Sequence, residues 1–353
     1  MPNLLIITQK VDSNDDVLGF FHEWIREFSK KCGKVTVICL KLGQYDLPSN
    51  VKVMSLGKER GLGKLRYLLN FYKYIWQERK NYDAVFAHMN PQYIPLGWPV
   101  WKLLGKKMSL WYAHGHVPPM LKIADHLTDI AFASTPEGYR LPSKKLKIVG
   151  QGIDVNKFRP AEGKAIKEFF KIVSVGRISP SKDYETLIGA IELLSPSGKF
   201  KIEIAGSPAN PSDKDYLENL KRLVSEKALS VIVEFIGPIA NKNLPPFLQS
   251  ADLFVNMGHT GSLDKANLEA MACGLPLLTC NEAYENILGE YKSMLMYPKR
   301  DVRSLSEKIG MIINLNQQER EKISHYLRQI VVRDHNLEEL VNKISAILFS
   351  QNQ

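Results

Sequence analysis

Ile172-Val173-Ser174-Val175-Gly176-Arg177-Ile178-Ser179-Pro180-Ser181-Lys182 is the stretch of this 353-residue chain on which the fold turns. A short, mostly apolar strand ends at Gly176, which lets the backbone turn sharply, and a helix is expected to begin near Asp183. A strand that turns directly into a helix is the building unit of a parallel sheet covered by helices. The pattern repeats in both directions. Upstream, strands are expected at 3–8, 34–40, 51–55, 84–88, 107–113, 129–133 and 146–149. Downstream, after 172–175, they are expected at 200–205, 231–236, 252–256, 276–279 and 293–296. Gly150-Gln151-Gly152-Ile153-Asp154 and Phe158-Arg159-Pro160 form a turn-rich joint between the two series. The expected fold class is α/β, with two facing Rossmann-like, doubly wound domains. The N-terminal domain would span 1–155 and the C-terminal domain 165–335, and a last helix, 336–353, would cross back to the first domain. Ligands in such sheets bind at the carboxyl ends of the strands.

Charge is unevenly spread. Residues 1–160 hold 24 Lys and Arg against 13 Asp and Glu, a net +11, and the remainder holds 23 against 24. Such a field suits an anionic partner at that half, a phospholipid surface or a phosphorylated acceptor, or serves solubility alone. No nucleic-acid partner is expected. Cys32, Cys39, Cys273 and Cys280 show neither CxxC pairing nor metal-ligand spacing, and core thiols in a reducing, cytoplasmic setting are expected. The opening apolar run reads as a first strand rather than a signal peptide, and no apolar window approaches the roughly 20 residues needed to span a bilayer.

Two constellations carry chemistry. Arg177 and Lys182 share one loop at a strand end, a guanidinium fork and a point charge suited to a diphosphate. In Leu268-Glu269-Ala270-Met271-Ala272-Cys273-Gly274-Leu275-Pro276, small residues let a helix approach its sheet closely, and Glu269 is a carboxylate among them. Buried, it needs a partner, either a ribose diol or a structural cation. The preceding loop, Thr260-Gly261-Ser262-Leu263-Asp264-Lys265, would aim backbone amides at an anion. In the first half, Tyr112-Ala113-His114-Gly115-His116 ends a strand and offers a histidine to a hydroxyl or a developing charge. Asp213-Lys214-Asp215 opens a helix and reads as helix-capping acids, not a metal site.

In order, these motifs resemble glycosyltransferase family 4, the retaining group 1 glycosyltransferases with the GT-B fold. The resemblance runs through Gly152-Ile153-Asp154, Val175-Gly176-Arg177 with Lys182, Ile204-Ala205-Gly206, Phe235-Ile236-Gly237, Ala251-Asp252-Leu253-Phe254-Val255 and Leu268–Pro276. It implies a donor that is a UDP- or GDP-sugar, no cofactor and no metal. The acceptor would be a glycan or lipid-linked hydroxyl, as in cell-surface polysaccharide or glycolipid synthesis, and the hexose would be transferred with retention of configuration. It implies that Arg177 and Lys182 hold the diphosphate, that Glu269 takes the ribose hydroxyls, and that Gly237, Pro238 and Ile239 lie along the nucleobase. Gly176, Gly206, Gly261, Ser262, Leu263, Asp264 and Lys265 complete the donor side. His114 matches the family's cleft histidine, with His116 and His88 weaker candidates. The departing diphosphate itself would help deprotonate the attacking hydroxyl.

The chain departs from the family pattern at three places. The acidic residue usual eight positions before Glu269 is Gly261, and the glycine common five positions before it is Asp264. Asp264 is therefore expected to take donor-sugar hydroxyls, with Lys265 screening it from the phosphates. A glycine pair usual after the first strand is here only Gly19, beside an acidic cluster, Asp12, Asp15 and Asp16, that either orients acceptor hydroxyls or, as expected here, is simply solvated. Alternatives for function are a nucleotide-sugar epimerase of the same fold and a donor-binding homologue without transfer activity. Finally, Leu62, Leu65, Leu68, Leu69, Tyr72, Ile75 and Trp76 recur at helical spacing, flanked by Lys64, Arg66 and Lys73. That helix either packs on its sheet or docks peripherally on an anionic leaflet.

Overall fold

The computed structural model describes residues 1–163, 168–194, 200–258, 261 and 263–350. The chain forms two compact units: Met1–Asp154 with Ala240–Lys242 and Asn336–Gln353, and Val155–Ile239 with Asn243–His335.

The first unit is built on seven strands: β1 (Leu4–Val11), β2 (Val35–Leu42), β3 (Val51–Ser55), β4 (Ala84–His88), β5 (Lys107–Trp111), β6 (Ile130–Ala133) and β7 (Leu146–Ile148). They pair in parallel, in the order β3-β2-β1-β4-β5-β6-β7, with Leu4 beside Val35 on one side and Ala84 on the other. Successive strand residues face opposite ways, so β1 feeds two cores. Leu4 and Ile6 meet Trp24 and Phe28 of α1 (Phe21–Lys31) on one face. Leu5 and Ile7 belong to the core on the other face, with Phe71 and Ile75 of α2 (Lys64–Gln77), Trp101 of α3 (Tyr93–Leu103) and Leu121 of α4 (Pro119–Leu127). Burial on both faces explains why these strands read as continuous apolar runs.

The second unit carries five parallel strands, β8 (Phe170–Val175), β9 (Phe200–Ala205), β10 (Val233–Gly237), β11 (Leu253–Asn256) and β12 (Leu277–Thr279), in the order β10-β9-β8-β11-β12. Its helices are α5 (Tyr184–Leu193), α6 (Pro211–Glu226), α7 (Leu244–Gln249), α8 (Lys265–Ala272), α9 (Lys292–Leu295), α10 (Val302–Asn314) and α11 (Gln317–Asp334). The strand expected at 293–296 is instead helix α9, and only Met296 makes an isolated bridge, to Thr279. A short apolar run carries too little periodicity to separate a strand from a buried helical turn. In each sheet the order reverses next to the first strand, between β1 and β4 and between β8 and β11. Such reversals open a crevice at the strands' carboxyl ends.

The last helix, α12 (Leu337–Phe349), belongs to the first unit. Asn336 caps it, accepting a hydrogen bond from the Glu338 N–H at 2.9 Å, and Ile153 accepts one from the Leu337 N–H at 2.9 Å. Its apolar stripe of Leu337, Leu340, Val341, Ile344 and Leu348 enters the α1 core. All four cysteines are buried thiols. Among the described residues, no helix is long and apolar enough to cross a membrane.

Candidate functional site

In the second unit, the turns that follow β8, β9 and β10 lie side by side. The Gly176 N–H donates to Ala205 at 3.0 Å and the Gly206 N–H to Gly237 at 2.8 Å. A side chain on Gly206 would place its Cβ 1.8 Å from the Gly176 carbonyl oxygen, so the two turns can touch only because the residue is glycine. Gly237, at φ +79°, ends β10 at a register shift and leads into Pro238 and Ile239. Gly206 and Gly237 leave a shelf of bare backbone at these strand ends.

Across the strand-order reversal, the loop after β8 meets the loop after β11. Pro180–Lys182 makes a single 3-10 turn, and Asp183, at φ 50°, redirects the chain into α5. Lys182 lies back over the strand ends: Cβ atoms built on Gly176 and Gly258 would each come within 3.3 Å of its stem. Its ammonium forms an ion pair with the Asp264 carboxylate, and both side chains are about four-fifths buried. The same Asp264 oxygen accepts from Asn256 Nδ2 at 3.1 Å, while the Asp264 carbonyl accepts from the Tyr284 hydroxyl at 2.8 Å. Burial, with the nearby Asp264 charge, holds the Tyr184 and Tyr284 hydroxyls far above the usual phenol range, so both stay protonated donors. Tyr184 donates to the Gly176 carbonyl at 3.3 Å. The Lys182 loop is thus braced from beneath.

Asp264 stands at the N-cap of α8 yet makes no side-chain bond to that helix. Its carboxylate is directed across the crevice instead. Glu269 sits one turn on, 3 % exposed, with Lys265 Nζ 3.4 Å from its Oε1. Asp264 thus pairs with Lys182, and Lys265 pairs with Glu269. The i,i+4 spacing on one helix face makes the second pairing natural. Gly261 takes φ +75° and Leu263 is buried, whereas Ser262 and Thr260 lie outside the described residues. Arg177 is exposed on the same loop as Lys182. Asn256 went unnoticed in the sequence, although a polar amide closing the apolar run Leu253-Phe254-Val255 was the available signal.

The first unit holds the remaining candidates. His114 Nδ1 accepts the His116 backbone N–H at 3.0 Å, so the neutral ring carries its proton on Nε2 as a donor. The Tyr112 hydroxyl, bonded to the His116 carbonyl at 2.8 Å, fixes that turn. His116 supplies backbone here. His88 is a core residue: it stacks on Phe21 at 3.8 Å, contacts Thr8 Oγ1 at 3.3 Å, and burial pushes its pKa down to about 3. The acidic cluster near Gly19 is not simply solvated. Lys10 pairs with both Asp12 and Asp15, and Asp15 Oδ1 accepts the Val17 and Leu18 N–H groups. Gly19 packs so tightly under this turn that a Cβ would stand 2.4 Å from the Asp15 carbonyl. Asp213 lies in the first turn of α6, its Oδ2 accepting the Ala209 N–H at 3.2 Å, as a capping acid does.

Comparison with known proteins then decides the family. Residues 155–330 match the model of the family described as Glycosyl transferases group 1. The chain belongs to the group 1 glycosyltransferases. It is 25% identical over 215 residues to WcaL of Escherichia coli (strain K12), a protein assigned to colanic acid biosynthesis as a glycosyltransferase, covering 59% of this chain and 52% of that one. It is 28% identical over 166 residues to mannosylfructose-phosphate synthase of Agrobacterium fabrum (strain C58 / ATCC 33970), covering 42% of this chain and 37% of that one. The matches thus span about half or less of these relatives' own length. The structure of Anabaena Alr3699/HepE in complex with UDP and glucose superposes with a TM-score of 0.80 at 17% identity, over 99% of this chain and all of that one. At that identity the likeness establishes the fold, and the fold is GT-B.

Proposed function

We propose that this group 1 glycosyltransferase transfers a hexose from a UDP- or GDP-sugar to a hydroxyl of a glycan or lipid-linked acceptor, with retention of configuration and without a metal ion. The observation that carries the reading is the meeting of Lys182, Asn256 and Asp264 at the strand-order reversal, beside the glycine shelf. In this reading the donor diphosphate displaces Asp264 from Lys182, and Arg177 turns its fork onto the same phosphates. Glu269, with Lys265, receives the ribose hydroxyls, and the backbone of Gly237-Pro238-Ile239 lies along the base. Asp264, released from Lys182, accepts hydroxyls of the donor sugar, and His114 donates through Nε2 to charge or hydroxyls at the reacting end. As the glycosidic oxygen departs, negative charge gathers on the diphosphate. Lys182, Arg177 and the leading amides of α8 stabilise it there, and the diphosphate takes the proton of the attacking hydroxyl.

UDP comes first among donors because the HepE structure holds UDP and glucose; its likeness to this chain motivates the choice. The excess positive charge of residues 1–160 further suits work beside an anionic membrane surface. Thermal unfolding against a panel of UDP- and GDP-sugars tests the donor. A specific ligand at a hundred times its Kd should stabilise the fold by about 2.7 kcal/mol. Lys182→Ala and Arg177→Ala should each lower turnover at least about a hundredfold, the usual cost of removing one preorganised contact to developing charge. Near-normal rates in both variants would discard the assignment. Donor consumed without acceptor would point to epimerisation, binding without product to a non-transferring homologue, and loss of activity in EDTA to a metal.

A further inference from the structure

Helix α2, which carries six of the seven apolar residues at helical spacing, does two things at once. One side of α2 packs inward through Phe71 and Ile75. A second stripe, Leu65, Leu69, Tyr72 and Trp76, runs at intervals of four, three and four about a third of a turn away, with Leu65 71% and Trp76 47% exposed and the Tyr72 hydroxyl donating to the Leu96 carbonyl of α3 at 2.8 Å. Intervals of this kind place all four within a narrow arc of the helix. Arg66 and Lys73, seven residues apart, line one border of that arc, and among the described residues no carboxylate pairs with either. The neighbouring α3 ends in exposed Lys102 and Leu103, the latter 78% exposed, and α4 adds Ile123 beside Lys122. Acidic groups are turned away: α2 and α3 contain none, Glu78 is taken by Lys52 at 2.6 Å, and Asp125 accepts the Tyr139 hydroxyl at 2.7 Å. These three helices form one covering layer of the seven-stranded sheet, since their inward residues share a single core.

We propose that the outer face of α2, α3 and α4 docks on an anionic phospholipid surface, the leucine and tryptophan stripe entering the headgroup boundary while Arg66, Lys73 and Lys102 meet the lipid phosphates. A solvated helix has no use for a second apolar stripe, and a protein-facing stripe gains nothing from a border made of cations alone. Apolar residues bordered by Lys and Arg, with no exposed acid within the three helices, match the chemistry of an anionic bilayer. The assignment rests on the membrane-proximal part of the function proposed above and is independent of the transfer chemistry.

Sedimentation of the full chain with vesicles tests it, using pure phosphatidylcholine and phosphatidylcholine containing phosphatidylglycerol. The wild type should pellet with the anionic vesicles alone and dissociate as salt is raised. Arg66→Ser with Lys73→Ser should weaken binding roughly thirtyfold, near fivefold for each cation at a charged surface. Leu65→Ser with Leu69→Ser should abolish it. Both pairs are exposed, and an unchanged thermal shift with UDP confirms that each variant folds. Binding that ignores anionic lipid, or variants that pellet like the wild type, would overturn the proposal. So would a wild-type dimer in analytical ultracentrifugation that Leu65→Ser with Leu69→Ser dissociates, because a second copy would then cover this face. Vesicle binding without any nucleotide-sugar shift would leave this surface standing and remove the transfer reading instead.

Discussion

Asp264 holds Lys182 with one carboxylate oxygen that Asn256 also reaches, so in the proposed reading the ammonium assigned to the diphosphate is already paired before donor binds. Removing that carboxylate should act in opposite directions on two measurements. Asp264→Ala should bind UDP alone more tightly, several-fold by calorimetry, because the ammonium is released. The same variant should turn over sugar donor at least about tenfold more slowly, since a hydrogen bond to a charged acceptor is worth about 1.5–3 kcal/mol. Turnover at the wild-type rate would end the idea that Asp264 replaces the family's missing acid. His88 carries a pH effect of its own. The unfolded chain protonates His88 near its ordinary 6.5, the folded chain only near 3, so the unfolded state binds more protons between those values and stability falls as pH falls through that window. His88→Gln should flatten that dependence in urea melts at pH 4 to 7; an unchanged slope would remove it as the source. At this scale the sequence exposed charges at strand ends and concealed their partners. Arg177 and Lys182 stood out as two charges on one loop at a strand end and Glu269 as a carboxylate among small residues, but which cation meets which carboxylate depends on two loops 82 residues apart.

Among the elements, strands buried on both faces were the most legible, because continuous β-branched runs have few other uses. Helix α9 was misread because four residues cannot display a period. Helix α2 was read as either a packed or a docking helix, and its two apolar stripes show why one periodicity fitted both. The contact between the turns after β8 and β9 depends on a missing side chain. Gly206→Ala would force a methyl group to 1.8 Å from the Gly176 carbonyl, and backbone must move to admit it. Overpacking of that kind costs about 1–3 kcal/mol. A lowered melting temperature together with weaker UDP binding is expected, since the displaced turn carries Arg177 and Lys182. A drop in stability with intact UDP affinity would mean the shelf does not touch the donor.

For the molecule as a whole, the joint near Gly150–Pro160 and the alternation of strands and helices announced two sheets, but no local pattern tells a helix which sheet to join. The return of α12 is settled by its apolar stripe entering the α1 core. Ile344→Ala should cost about 2–5 kcal/mol, as large-to-small changes at fully buried positions do. The loss should appear in the first unit's unfolding while UDP binding by the second persists. One consequence concerns birth rather than function. The ribosome finishes the β1–β7 segment long before it reaches Leu337, and at roughly 5–20 residues per second that interval lasts on the order of 10–40 s. Throughout it, the core that contains Leu4, Trp24 and Phe86 lacks the α12 stripe that completes it in the finished protein. The nascent N-terminal half therefore emerges with its α1-side core short of one helix, while the second unit is complete once His335 has been made.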